Sequence, residues 1–343
     1  MYSFKNDYSE GAHPSILNAL IHTNAEQMDG YSEDRLCAQA TAHLKKLLKN
    51  EAIDIHYFAG GTVTNLTAIS AFLRPHEAVI APETGHVCTH ETGAIEATGH
   101  KVITVPTKNG KLTAKQIEEV IHIHEDEHMV YPKLVYISNS TEIGTIYTHQ
   151  ELQAIRRVCD EHDLFFYMDG ARLGSACMAV DNDVPFEALA YLFDAFYIGA
   201  TKNGALLGEA LVISRQELKA YFRYHIKQKG ALLAKGRLLG IQFITLFENQ
   251  LYFDLATHAN TMAGKLVHGI QQCGYDFLMN STTNQIFPIL PNTIIEALKK
   301  DFDFYVWATI DQKHSAIRLV TSWATPAEAV DAFIQHLNNL CHR

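Results

Sequence analysis

The chain has 343 residues, 47% hydrophobic and 19% charged, with a formal net charge of −10. This apolar content excludes a disordered chain, and the length exceeds what one small core needs, so two domains of unequal size are expected. The acidic balance speaks against a nucleic-acid partner or an anionic membrane surface, and no run approaches the about eighteen apolar residues of a membrane span.

The opening residues MYSFKNDYSEG have no apolar signal region. The six cysteines (Cys37, Cys88, Cys159, Cys177, Cys273, Cys341) never fall as C-x-x-C, which suits reduced thiols rather than a disulfide framework or zinc site. A cytoplasmic protein is expected. The first forty residues lack sheet rhythm and should form an arm, over 1–15, and a helix that pack across domains or against a second subunit.

From about residue 50 strands and helices alternate. IDIHYFA (Ile53 to Ala59) reads as a strand and GTVTNLTAISAFL (Gly61 to Leu73) as a helix. EAVIAP (Glu77 to Pro82) is the second strand, followed by a helical pattern from His86 to Glu96. KVITVP, KLVYISN, LFFYMD and DAFYIGA follow as strands, with helices such as His149 to His162 between them. This spacing predicts an α/β fold, a mostly parallel sheet with helices on both faces. GALLGEALVIS follows DAFYIGA too closely for a helical crossover and should run antiparallel. The large domain is expected over 16–245. Beyond it come one long helix over Glu248 to Ile270, short strands at NQIFPIL and AIRLVTS, and a closing helix from Pro326 to Leu340. They predict a smaller α+β domain over 246–343.

Ligands in open α/β sheets sit outside the carboxyl ends of the strands. Five predicted strands here lead into chemically loaded residues: Gly60-Gly61-Thr62, Glu83 to His86, Asn139 to Glu142, Asp169 to Arg172, and Thr201 to Gly204. The Gly-Gly turn opens a helix, where small residues and free N–H groups favour an anion such as phosphate. It is neither G-x-G-x-x-G nor G-x-x-x-x-G-K, so dinucleotide and P-loop readings lose their support. Lys202, at the end of an apolar strand, can form a Schiff base if its solvation is restricted. With Asp169 one strand earlier, the pair suits pyridoxal phosphate, the lysine holding the aldehyde and the acid keeping the ring nitrogen protonated. His86 is either a satisfied loop histidine or a ring lying over a flat cofactor with one nitrogen free for acid–base work. The HIHEDEH run (His122 to His128) has no fixed helical pair of ligands and reads as a solvated loop, so no metal is expected.

The segments FKNDYSEGAHP, GYSED, GGTVTN, TGHVCTHETGA, DGARLG, TKNG and IRLVTSW together resemble the threonine aldolases of the aromatic-amino-acid β-eliminating lyase group. The resemblance spans almost the whole chain, and DGAR followed by a lysine on the next strand is its most specific part. It implies a fold type I pyridoxal-phosphate enzyme. Lys202 would carry the cofactor, Asp169 would pair with the ring nitrogen, and His86 would stack on the ring. Gly61 and Thr62 would hold the phosphate through backbone N–H groups, with Thr201 adding its hydroxyl. Arg172 would lie near the cofactor's 3-oxygen and the substrate carboxylate, and Arg318 would clamp that carboxylate with its planar fork. Tyr31 belongs to a segment that reaches a site in such dimers, its own or the neighbour's. Lys235 or Arg237 would bring a positive charge to the phosphate across an interface. A homodimer or homotetramer acting on a small amino acid is therefore implied.

Some positions depart from the pattern. Asn6 stands where a serine near the substrate carboxylate is usual, Ser32 interrupts Y-G-[DE]-D, and Val63 follows Gly-Thr in the phosphate turn. Glu142 occupies the place of a histidine near the substrate's β-hydroxyl, which leaves His86, Glu142 or a bridging water as the base. The expected reaction is retro-aldol cleavage of a β-hydroxy amino acid. Its rivals are β-elimination or transamination on the same scaffold, a retired enzyme that keeps the cofactor, and, weakest, a nicotinamide dehydrogenase.

Overall fold

The computed structural model describes residues 1–341. Its strands, in chain order, are β1 (Tyr2–Ser3), β2 (Asp54–Phe58), β3 (Glu77–Pro82), β4 (Val102–Val105), β5 (Tyr131–Ser138), β6 (Phe165–Asp169) and β7 (Ala195–Gly199). They continue as β8 (Glu209–Ile213), β9 (Gln285–Ile286), β10 (Ile289–Pro291), β11 (Phe302–Asp303), β12 (Tyr305–Thr309) and β13 (His314–Val320).

Seven of them form the main sheet, in the order β2-β8-β7-β6-β5-β3-β4. Strands β7, β6, β5, β3 and β4 run parallel, and β8 is antiparallel to both its neighbours, as the short β7–β8 connection predicts. Every residue of β3, β6, β7 and β8 is buried, as the near-continuous apolar sequences of a sheet covered on both faces require.

Alternation along these strands builds two cores, one on each face. Tyr136, Tyr167 and Tyr197 point into one, with Phe58, Ile69 and Phe222. Ile137, Met168, Phe196 and Ile198 point into the other, beneath the helices Arg35–Leu47, His149–Glu161 and Arg237–Glu248. The helix His149–Glu161 starts at a capping box in which Thr148 and Glu151 satisfy each other's backbone N–H groups.

A third core lies under an antiparallel sheet of order β10-β13-β12, with β9 also paired to β13. Phe4 from the arm is buried within it, against Phe302 and Phe333, and β1 pairs with β11. The arm thus crosses from this small sheet to the main one.

Three sequence expectations need correction. The helix expected from His86 to Glu96 covers only His86–Thr89, because Thr92 and Gly93 adopt positive φ of 52° and 71° and turn the chain away. The long helix begins at Leu251 rather than Glu248, since Gln250 at φ 62° separates it from the helix Arg237–Glu248. NQIFPIL divides into β9 and β10, and β12 (YVWAT), whose residues are largely accessible, was not anticipated. No helix among the described residues is long and apolar enough to cross a membrane.

Candidate active site

The loaded strand ends converge on one cavity of about 600 Å³ at the carboxyl edge of the parallel strands. Gly60, Gly61 and Thr62 form one wall; His86, Glu142 and Arg172 another; Thr201 and Lys202 from the β7–β8 connection, with Glu209 at the start of β8, a third; Tyr305, Trp307 and Arg318 the side contributed by the small sheet.

Register explains part of this convergence. Pairing of Ser138 with Asp169 sets the ends of β5 and β6 level, and Gly199 lies opposite Glu209. Gly170 and Gly199 let β6 and β7 approach closely at their ends: a Cβ on Gly170 would overlap the Tyr197 carbonyl, and one on Gly199 would lie 2.6 Å from the Ala171 and Gly170 carbonyl oxygens. That close approach is why DGAR needs its glycine.

Asp169 is 3% exposed and accepts four hydrogen bonds. Asn65 Nδ2 and Tyr136 Oη donate to Oδ2, both at 2.9 Å, while the Ala171 N–H (3.0 Å) and Tyr197 Oη donate to Oδ1. Burial alone would raise its pKa. The positive character of His86 and the donors from Tyr197 and Asn65 outweigh that and hold it below the ordinary carboxylate range. Asp169 thus holds the turn after β6 through Ala171 and stands as a fixed anion beneath the cavity.

His86 opens its short helix, and its backbone N–H donates to Glu142 Oε1 at 2.9 Å. Its Nδ1 is 2.8 Å from Oε1 of Glu91, which also accepts from Asn65 at 2.7 Å. Burial pushes the imidazole down, but Glu91 and Asp169 together raise it above the usual histidine value. His86, Glu91 and Asp169 also bring potential ligand atoms within 4.8 Å of one another. Glu142 accepts from Ser138 Oγ at 2.6 Å and has Oε2 buried without a partner among the described residues. Burial lifts its pKa against the pull of the Ser138 hydrogen bond.

Lys202 makes no ion pair among the described residues; its ammonium stands 5.9 Å from the Tyr8 ring centroid. Burial and the charge of Arg172 depress its pKa, partly offset by Asp7, Asp169 and Glu209. Arg172 is held in a bidentate pair with Asp7 (Nε–Oδ2 2.7 Å, Nη2–Oδ1 3.0 Å), and Asn284 supports the same carboxylate at 2.9 Å. Arg318 donates to the Lys5 carbonyl at 3.0 Å, has its Nε buried without a partner, and meets no carboxylate among the described residues. It stacks over Trp307 (5.2 Å) and Tyr305 (5.5 Å).

A chain of 343 residues that brings these groups together matches the family model described as beta-eliminating lyase over residues 8–292. The chain belongs to the beta-eliminating lyase family. Within that family it is 31% identical, over 94% of its length and 93% of the relative's, to the low specificity L-threonine aldolase of a Pseudomonas species. A structure of Leishmania major threonine aldolase is 50% identical over 99% of this chain and 100% of that one, with a TM-score of 0.98. The histidinol-phosphate aminotransferase of Clostridium acetobutylicum shares only the fold, at 14% identity and a TM-score of 0.75 across 100% of this chain and 99% of that one. This member of the beta-eliminating lyases is therefore a lyase of the threonine aldolase type on a fold shared with aminotransferases.

Of the residues singled out in the sequence, Gly61, Thr62, His86, Glu142, Arg172, Thr201, Lys202 and Arg318 line the cavity, and Asp169 lies just behind its lining. Asn6 does not line it; its Oδ1 is engaged by the Tyr8 N–H and Ser9 Oγ. Tyr31 and Lys235 lie together elsewhere, the Tyr31 N–H donating to the Ala234 carbonyl and its ring lying 4.5 Å from the Lys227 ammonium. Arg237 is occupied by the carbonyls of Thr23, Asn24 and Glu26. Sequence reasoning missed Glu91, Glu209, Tyr197 and Asp7. For Glu209 the signal was available, a glutamate inside the apolar run GEALVI.

The residues present fit a phosphorylated pyridoxal. A Cβ on Gly61 would stand 2.9 Å from Tyr197 Oη, so only glycine keeps that cradle open. The helix Gly61–Phe72 has no side-chain cap, leaving its first N–H groups for an anion. An unpaired lysine and a fixed carboxylate complete the set.

Proposed function

We propose that this lyase cleaves a β-hydroxy amino acid of the threonine or allo-threonine kind to glycine and an aldehyde, with pyridoxal 5′-phosphate as cofactor. The observation that carries the reading is Lys202, depressed in pKa and without an ion pair among the described residues, in the same cavity as the Gly61 helix end and an Arg318 that meets no carboxylate among those residues. When bound, the cofactor would supply an electron sink for the charge left at Cα.

The protein's own residues supply the rest. Lys202 would hold the cofactor, Gly61, Thr62 and Thr201 its phosphate, Asp169 its ring nitrogen, and His86 would cover its face. Arg318, with a donor still unsatisfied, takes the substrate carboxylate. Arg172, already gripped by Asp7, supports that anion as a fixed charge. With the carboxylate fixed, the side chain is turned toward His86 and Glu142, and one of them, or a water bridging them, receives the β-hydroxyl proton. A carboxylate of ordinary pKa is a poor base for an alcohol, and the raised values of both candidates narrow that mismatch.

We divide the chain into an arm (1–15), a large cofactor-holding domain (16–245) and a small domain (246–343). Tyr31 and Lys235 act across the interface of a homodimer or homotetramer, which sedimentation equilibrium tests: a monomer at working concentration removes their role. Six unpaired cysteines support a cytoplasmic home.

The deciding experiment is the visible spectrum of the purified protein before and after glycine is added. A yellow band that moves to longer wavelength with glycine and fades with acetaldehyde supports the aldolase reading. A protein that stays colourless in pyridoxal phosphate overturns the Lys202 assignment. A yellow band indifferent to glycine moves the reading to β-elimination or to a retired enzyme.

A further inference from the structure

Glu209 is buried between β2 and β7, in register with Phe58 on one side and Gly199 on the other. It therefore stands beside the strand end that leads into the Gly60-Gly61 turn. Its Oε1 is 2.7 Å from Thr201 Oγ1, and its Oε2 is buried with no partner among the described residues. Thr201 Oγ1 also accepts the Gly208 N–H at 3.0 Å, and both Thr201 and Glu209 line the cavity.

A hydroxyl has one proton to give and two lone pairs to receive. While Glu209 is ionised, the Thr201 proton is committed to its carboxylate. When Glu209 carries a proton, that proton can be donated to Thr201 Oγ1. The threonine oxygen then accepts from Gly208 and from Glu209, and its own O–H turns into the cavity. No covalent bond changes; one proton on Glu209 reverses one hydrogen bond.

We propose that Glu209 is a positioning residue that works as a neutral carboxylic acid, turning the Thr201 hydroxyl into a donor to the cofactor's phosphate. This rests on the pyridoxal-phosphate reading above. An ionised Glu209 would both withdraw that donor and set a second negative charge near the phosphate.

The titratable groups facing Glu209 are Lys202 and Asp169, with Tyr167, Tyr197 and Tyr252 on the elements packed around it. Burial pushes the Glu209 carboxyl up, to about 8, against the opposing pull of Thr201 and Lys202. Burial also raises the three tyrosines, which stay neutral, and Asp169 stays ionised. Lys202, pushed down by burial and Arg172, is the neighbour whose own proton loss must be separated.

The test uses the full chain freed of cofactor and titrated with pyridoxine 5′-phosphate, which has the phosphate but no aldehyde to react with Lys202. Its phosphate is doubly ionised above about pH 7, so the phosphate charge is constant there, and the ring nitrogen's own proton loss at higher pH is common to wild type and variants and cancels when their profiles are compared. For the wild type, Kd should rise about tenfold per pH unit above the Glu209 pKa, beyond the share due to Lys202 and to the ligand's ring nitrogen that the variants retain. Glu209→Gln, whose amide donates to Thr201 at every pH, should keep tight binding and lose that part of the rise. Thr201→Ala should bind weakly at the acid end and lose the same part, and it decides the matter if the glutamine variant fails to fold. Parallel profiles for the wild type and either variant overturn the relay. No binding by the wild type at any pH overturns the cofactor reading and the relay with it.

Discussion

Glu91, its side chain wholly excluded from solvent, holds Nδ1 of His86 at 2.8 Å. The imidazole is itself 31% exposed, so one nitrogen is fixed by a buried acid while the ring remains open to the cavity. Orientation and basicity of His86 are thus set from behind. Glu91→Gln removes a charge that raises the His86 pKa. If His86 is the base, the acid limb of the kcat/KM profile should move down by about one pH unit. A limb that stays in place removes His86 from that role.

Ser138 gives the complementary experiment. Its hydroxyl donates to Glu142 at 2.6 Å and lowers a pKa that burial has raised. Ser138→Ala should push Glu142 higher still, shifting the acid limb up by about one unit if Glu142 receives the proton. The two substitutions move the limb in opposite directions, so the pair of profiles identifies the base. Two unmoved profiles would leave a bridging water.

Arg318 should govern substrate binding more than turnover. Its guanidinium is stacked on Trp307 and Tyr305 and fixed by one hydrogen bond to Lys5, which leaves it pre-aimed. Arg318→Lys keeps a charge but loses the planar fork, and KM for the amino acid should rise about a hundredfold. Steady-state kinetics with threonine checks this; an unchanged KM would assign the carboxylate to Arg172.

Asp169→Asn tests the anion beneath the cavity. Four donors converge on this carboxylate, and an amide would turn its NH2 against one of them, costing about 1–3 kcal/mol of stability. The yellow cofactor band should survive. Turnover should fall about a hundredfold or more, with the glycine-induced shift lost. Normal turnover in a folded Asp169→Asn protein would refute the role given to the acid.

The main sheet was legible in the sequence because buried parallel strands leave long apolar runs, and FFYMD, AFYIG and EAVIAP carry no competing pattern. The antiparallel turn at β8 followed from spacing alone. The small sheet was less legible: β12 exposes Tyr305 and Val306, so its alternation is weak, and Pro288 splits the run beside it. The helix break at Gln250 had no sequence signal, since glutamine rarely takes a positive φ. Within the site, residues at strand ends announced themselves by standing after apolar runs. Glu91 did not, because it reaches His86 from an irregular turn. Asp7 did not either, since its partner Arg172 lies far along the chain and only the folded arm brings them together.

The third core joins Phe4 to Phe302 and Phe333. The arm therefore draws its anchorage from the small core, while the parallel sheet is built from residues 54–213 alone. Asp7 reaches Arg172 through the same segment, so the charge pattern of the cavity is tied mechanically to packing around Phe4. Loosening that distant aromatic cluster would slacken the grip on Arg172 without touching the cavity itself.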